Sequence, residues 1–247
     1  MILWSLLPLT AFWLLFLLER KQRAAHVGHP YAMGDWMMNL SGFFMQGVAV
    51  PLSGYWLATQ FFPEIWPAAK GILPLGIIGA FLLNFVVVDF LYYLQHRAFH
   101  KIPALWKLHA PHHYSPTVNI WATSRNALVT HFLFVYTLVN PLLGYLCDRP
   151  DAFFAGAMLT AALDLLRHST LKFDIPALNG IFVLPRDHHR HHDGEKHDAN
   201  YGANFMIWDR IFGTADMGAS YPDAYAVSGS PPVAVQLLTP WRIYLNA

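Results

Sequence analysis

Ile2 to Leu18, ILWSLLPLTAFWLLFLL, is a run of 17 residues without a charge. In lipid every backbone N–H and C=O of such a run must find its partner inside the segment, which leaves the helix as its fold. At 1.5 Å per residue the run reaches roughly 26 Å, just short of a hydrocarbon core of about 30 Å, so it crosses with its flanks anchoring. No basic residue precedes it, and no small-residue cleavage site comes before the ERKQR that follows. The sequence therefore predicts a retained helix rather than a signal peptide. Further apolar segments lie at about 36–62, interrupted by Pro51 and Gly54, and at about 71–95, 126–147 and 152–167. Proline is tolerable in such helices where neighbours satisfy the freed carbonyl. The last two segments, separated by CDRPD, read either as two crossings or as one shallow hairpin, because the second is short.

These segments predict an all-α integral membrane protein whose stem has four or five apolar helices. Composition agrees: 55% of residues are hydrophobic and 13% charged, against roughly 25% charged in an ordinary soluble domain. With the N-terminus outside and every segment crossing, the inner stretches 19–35, 96–125 and 167–247 carry fourteen of the sixteen Lys and Arg residues. Only Lys70 and Arg149 fall outside, as the positive-inside rule requires, and a hairpin over 126–167 leaves the count unchanged. A net charge near +1 gives no footprint for nucleic acid. The single cysteine, Cys147, rules out an internal disulfide and any cysteine-rich metal cage, and is expected to fill a packing position. No repeat, low-complexity tract or linker divides the chain. The tail 218–247, with Pro222, Pro231, Pro232 and Pro240, reads as irregular peripheral chain.

Ten of the fourteen histidines fall in two windows, 96–113 and 188–197, both on the predicted inner face. In DFLYYLQHRAFH, Asp89, Tyr93, His96 and His100 lie at about 0°, 40°, −20° and 20° around a helix, a polar stripe roughly 60° wide. A charged Asp89 costs about 2.5–3.5 kcal/mol or more at mid-membrane, so it faces the bundle interior. There it serves either as an interhelical hydrogen-bond acceptor or as the group that orients a ligand. LHAPHHYSP and PRDHHRHHD each contain HxxHH, as His109, His112, His113 and His188, His191, His192. Residues at i, i+3 and i+4 converge on one side of a helical turn, so each motif aims three imidazoles at one volume. The three motifs supply eight nitrogens, enough for two metal ions with about four protein ligands each and open positions for oxygen or water. A histidine-rich surface at headgroup level would not repeat that spacing. His189 is out of phase with its motif and, like His197, reads as outer-shell or solvent-facing. His131 reads as a packed, satisfied residue, and His26 and His29 as loop residues. HPYA at 29–32 lacks the HPGG of a cytochrome-type haem domain.

The combination of DFLYYLQHRAFH, LHAPHHYSP, PRDHHRHHD and DANYGANFMIWDRIFGT, over about residues 85–214, resembles the fatty acid hydroxylase and sterol desaturase superfamily of integral membrane di-iron enzymes. The resemblance implies a transmembrane helical stem under a cytosolic helical cap, here 96–125 and 168–214, with a histidine-ligated dimetal site at the junction. It implies two non-haem iron ions, with zinc as a possible substitute, and dioxygen as co-substrate. It also makes His168 a ninth ligand or close outer group, with Asp164 one turn earlier placed to fix its tautomer. NYG and WDRIFGT read as scaffold, with Trp208 anchoring the cap and Gly213 making a turn; Asn200 is the residue there singled out for a site role. Arg125 stands where many members carry Arg-x-His-Pro, but this chain reads RNALVTH. The implied activity is hydroxylation of an unactivated C–H bond of a membrane lipid, fed by an external electron donor, ferredoxin-like or a small haem protein with its reductase. Desaturation at the same centre is the alternative, and a membrane metal carrier or sensor the non-enzymatic one. A bacterial cytoplasmic membrane, with the site facing the cytoplasm, is the expected location.

Overall fold

A computed structural model describes residues 2–22, 30–173 and 175–243; His26 and His29 lie outside them. Among the described residues the chain is helical, with isolated β-bridges and no strand. The first helix, α1 (Ile2–Gln22), packs Phe12, Leu15 and Phe16 against Ile120, Trp121 and Leu165. Its other side leaves Leu9, Trp13, Leu14 and Leu17 exposed. The Glu19 carboxylate near its end accepts the Thr170 N–H at 2.8 Å, fastening the helix to the chain that leaves the last long helix.

The second helix, α2 (33–65), is continuous although it contains Pro51 and Pro63. Each proline removes an N–H donor and crowds the carbonyl one turn back. The chain answers with a widened π-turn immediately upstream, Met45–Ala49 before Pro51 and Leu57–Phe61 before Pro63. The same pairing recurs in α5 (Leu128–Leu146), where Val135–Val139 precedes Pro141. Wide turns of this kind absorb the disrupted ladder without ending the helix.

Helix α3 (Gly76–Lys101) starts five residues later than the apolar segment expected at 71. Gly76 takes φ +64°, and the Asp148 carboxylate accepts the N–H groups of Leu75 and Gly76 at 3.0 and 3.2 Å, so the chain turns here before it rises. At 26 residues α3 is about 39 Å long, more than a hydrocarbon core of about 30 Å, and His96 and His100 lie in its last turns. It and α5 are the two described helices long and apolar enough to cross a membrane.

Two further helices follow α3: α4 (Pro103–His113), after a break at Ile102, and later α6 (Pro150–His168), joined to α5 through Cys147–Arg149. Cys147 is buried with Ala80, Val88, Val135, Val139, Ala152 and Phe153, the packing role expected of it. A Cβ on Gly144 would come within 2.8 Å of the Phe154 ring, so α5 and α6 meet closely beside their turn. Three short helices complete the described chain: α7 (Pro185–His191), α8 (Ile207–Ile211) and α9 (Val233–Leu238). The tail is not peripheral: Gln236 and Ile243 are buried, and Ile243 packs against Ala110 and Tyr114 on α4. Polar contacts hold it there, since Gln236 donates to Pro231 O and accepts from Arg125, a pairing that proline content alone does not reveal.

Candidate metal centre

Nine histidines gather at the junction of α3, α4, α6 and α7 in two groups. His96, His100, His109, His113 and His191 form one, and His112, His168, His188 and His192 the other. Within each, one ring nitrogen per residue lies within 4.8 Å of the corresponding nitrogens of the others. The groups abut, with ring centroids of His113 and His192 4.6 Å apart.

The helices interleave the two groups. On α4, His109 and His113, four residues apart and on one face, enter the first group, while His112 enters the second. On α7 the division is reversed: His188 and His192 join the second group and His191 the first. The expectation that each HxxHH aims three imidazoles at one volume is corrected here. A 100° step between neighbours separates His112 from His113 enough to reach different centres once a second helix offers complementary side chains.

The outer nitrogens explain how the rings are aimed. Nδ1 of His96 donates to Tyr201 O at 2.8 Å, that of His112 to Arg125 O at 2.9 Å, and that of His191 to Ala199 O at 2.7 Å. Nδ1 of His168 donates to Asp164 O at 2.9 Å and lies 3.1 Å from the Asp164 carboxylate, which Arg167 also engages at 2.8 Å. A hydrogen on Nδ1 leaves the lone pair on Nε2, directed inward. There Nε2 of His96 faces Nε2 of His109 at 3.0 Å, His168 faces His188 at 3.0 Å, and His188 faces His192 at 3.2 Å. Buried Nε2 atoms of His100, His113 and His191 have no hydrogen-bond partner. Lone pairs packed this closely repel unless a cation sits among them, and nitrogens each about 2.1 Å from one ion stand roughly 3.0–3.4 Å apart. The donor set therefore fits metal. Burial first, and neighbouring imidazoles second, hold His109, His112, His113, His188, His191 and His192 well below the ordinary histidine pKa. Neutral rings are what metal ligation requires.

The remaining candidates take other positions. Asp89 accepts Asn204 N–H at 2.7 Å and the Trp208 indole N–H at 2.8 Å, tying α3 to α8. Tyr93 meets Thr214 at 3.1 Å and Arg97 at 3.3 Å and packs on Tyr201. Asn200, at φ +57°, donates to Asp187 O and Asp216 O and accepts from Asp216 N, closing the loop one residue beyond the carbonyl that holds His191. His189 belongs to neither group: its Nδ1 meets the Tyr225 hydroxyl at 2.6 Å, its Nε2 lies 3.0 Å from Ser169 O and 3.3 Å from His168 O, and burial pushes its pKa down to about 3. His197 stacks on Trp106 at the edge of the first group. His131 is packed as expected, with Nδ1 3.1 Å from Gln46, but its Nε2 lacks a partner.

Two supporting residues escaped sequence reasoning. Asp209, between Trp208 and Arg210, accepts the N–H groups of Tyr201 and Gly202, both at 2.8 Å, and so fixes the carbonyl on which His96 rests. Arg125 is buried and reaches Pro111 O, Asp35 and Gln236, holding the backbone that orients His112. For Asp209 the available signal was its place between Trp208 and Arg210, and for Arg125 its position after the second histidine motif.

The sequence profile of the family described as fatty acid hydroxylase matches residues 81–214. Similar proteins include alkylglycerol monooxygenase of Xenopus tropicalis, 28% identical over 82% of this chain and 45% of that protein. Ornithine lipid hydroxylase OlsE of Rhizobium tropici is 32% identical over 68% of this chain and 47% of that protein. A cholesterol 25-hydroxylase-like protein of Danio rerio is 30% identical over 66% of this chain and 63% of that protein. The chain thus spans less than half the length of the first two. No solved structure matches it.

Proposed function

The chain belongs to the fatty acid hydroxylase family, and from that premise we propose that it is an oxidoreductase that hydroxylates an unactivated C–H bond of a membrane lipid with dioxygen. The observation that carries this reading is the pair of buried histidine groups at the end of a helix long enough to cross the bilayer. His96, His100, His109, His113 and His191 would hold one iron ion, and His112, His168, His188 and His192 the other. When bound, the iron pair supplies the activation of dioxygen that an unactivated C–H bond demands.

This chain's own groups do the rest. Carbonyls of Tyr201, Ala199, Arg125 and Asp164 fix the tautomers of four ligands. The Asp164 carboxylate places negative charge behind His168 and helps fix the ring's orientation. Burial of the ligands excludes water from the reacting space. The apolar helices α1, α2, α3, α5 and α6 form a stem in the bilayer, through which a lipid chain reaches the centre without entering water. The exposed apolar residues of α1 and α2, among them Trp13, Phe44 and Leu52, are the lipid-facing side. The excess of Lys and Arg beside the histidines supports a centre on the cytoplasmic face, and a bacterial cytoplasmic membrane is the location this reading takes. Electrons arrive from an external carrier, ferredoxin-like or a small haem protein with its reductase.

The test is turnover of iron-loaded protein in lipid with a reductant and oxygen-18 gas. A lipid that gains one labelled oxygen is the expected product; a lipid that loses two hydrogens and keeps no label would replace hydroxylation by desaturation. Bound metal with neither oxygen uptake nor a lipid product would sink the enzymatic reading in favour of a metal carrier.

A further inference from the structure

Between α2, α3 and the start of α5, against His109 of the five-histidine group, lies a cleft with a cavity volume of about 20 Å³. A path for an acyl chain alone calls for an apolar wall, yet Gln46, Tyr92, Gln95, Asn126, His131 and Tyr136 line this one. All of these but His131 are partly exposed, so the cleft is open rather than sealed. Phe44 and Val48 on α2 and Phe132 and Phe134 in the first turns of α5 are exposed close by in sequence, which puts the opening beside the lipid-facing side of the stem.

The hydrogens define what the wall recognises. The Gln46 amide donates to Nδ1 of His131 at 3.1 Å, so Nε2 of His131 carries a hydrogen and donates. Gln95 gives its carbonyl to the Val135 N–H at 3.0 Å and keeps its amide hydrogens. Asn126 bonds the side chain of His109, whose Nε2 is turned to His96, so the Asn126 carbonyl accepts there and its amide hydrogens remain. The wall therefore offers mainly donors, and among the described residues no Asp, Glu, Lys or Arg lines it. An uncharged oxygen that accepts fits such a wall. A phosphate, carboxylate or ammonium would be buried without a countercharge, and a hydrocarbon would shut the donors off from water and satisfy none of them. About 10–15 Å³ holds one water, so the cavity admits one oxygen-sized group and no headgroup.

We propose that this cleft is a polar subsite for the substrate. It takes one uncharged acceptor oxygen of a lipid, an ether, ester or hydroxyl oxygen, on Nε2 of His131 and the Gln95 amide, and so holds the neighbouring carbons against the five-histidine group. The proposal rests on the reading that these histidines form the oxidising centre, and it narrows the substrate to lipids oxygenated near the carbon that is hydroxylated. His131 and Gln95 are then specificity-determining residues that hold no metal.

The experiment measures binding of hexadecylglycerol, palmitoylglycerol, hexadecanol, hexadecane and palmitate to the full chain in detergent by native mass spectrometry, with metal content recorded for each sample. The uncharged oxygenated lipids are expected to bind about 5- to 10-fold more weakly to His131→Leu, as for one lost hydrogen bond, while hexadecane binds both chains alike. The lipid with the largest loss names the source of the oxygen as ether, ester or alcohol. His131→Gln restores an N–H donor and should recover most of that binding at unchanged metal content, a rescue that a merely space-filling role would not give. Unchanged binding of all three oxygenated lipids in His131→Leu overturns the proposal, as does an equal loss for hexadecane or a His131→Gln chain that binds no better than His131→Leu. Palmitate bound more tightly than its uncharged relatives, with the same dependence on His131, overturns it too. Lipid binding as expected without a labelled product in turnover overturns the hydroxylase reading and leaves the subsite, whereas a labelled product from lipids that bind without regard to His131 overturns only the subsite.

Discussion

The two histidine groups are built from the same helices but are supported differently. In the four-histidine group, His168 rests on a carbonyl and a carboxylate of Asp164, itself engaged by Arg167, and His112 rests on the loop that Arg125 locks. In the five-histidine group, His96 and His191 rest on backbone carbonyls, His100 Nδ1 lies 3.7 Å from the exposed Asp198 carboxylate, His109 has Asn126 beside it, and the ring nitrogens of His113 have no hydrogen-bond partner. Ring packing takes over there, with Trp106 4.9 Å from His100 and 5.2 Å from His113. One group is fixed by charge and hydrogen bonds, the other by shape with more ligands. The lesson is that a site with fewer ligands needs a stronger outer shell to hold them.

The sharpest way to break this contrast is to remove the ligands that cross between groups. His191→Ala should strip metal from the five-histidine group and His112→Ala from the four-histidine group, each abolishing lipid oxidation, as read by metal analysis and product mass spectrometry. Equal retention in both variants would show that the division of ligands is wrong. Next in size, Arg125→Ala leaves Asp35 unpaired and frees the loop behind His112. Asp35 keeps some exposure, so the loss should sit at the low end for broken buried pairs, about 3 kcal/mol in thermal unfolding. Asp164→Asn keeps the carbonyl but removes the charge, and should weaken metal retention about 10- to 100-fold in the four-histidine group alone. His189→Gln removes no ring of either group, although His189 meets the His168 carbonyl, and should leave metal content close to unchanged, with a stability cost of about 1 kcal/mol for the changed hydrogen bonds.

The smallest expected effect lies on the surface of α7. Burial raises the Asp216 pKa, but the Arg190 guanidinium outweighs it and holds the carboxyl below its ordinary value. The unfolded chain then binds the proton more tightly, so this pair contributes stability above the ordinary carboxylate pKa and loses it as pH falls through the depressed value. Arg190→Ala should flatten that acid limb of the stability curve, measured by chemical unfolding at stepped pH. An unchanged slope would show that the pair is solvent-screened.

Much of the centre was legible in the sequence because its ligands sit at i, i+3 and i+4, spacings that a single helix turns into geometry. The nine histidines brought together are those that the motifs and the resemblance pointed to. Their allotment to two groups was not legible, because it depends on how α4 and α7 face each other. Asp89 could be placed inside the bundle from its membrane cost, yet which of two acceptor roles it takes required seeing Trp208 and Asn204 arrive from 115 or more residues away. Arg125 and Asp209 were invisible for a related reason: they act through backbone carbonyls and amides, and a carbonyl carries no side-chain signature. The start of α3 at Gly76 was hidden because Asp148, its cap, is supplied from the far side of α5.

The crossed allotment of the two HxxHH turns also has a mechanical meaning. α4 and α7 each hold both centres, so neither can rotate to suit one without moving a ligand of the other. On the proposed reading, filling one centre spends the rotational freedom that the other would otherwise have to lose, so loading of the pair is expected to be cooperative. A chain stripped to one intact set of ligands is then left with a half-gripped partner set rather than a smaller working site.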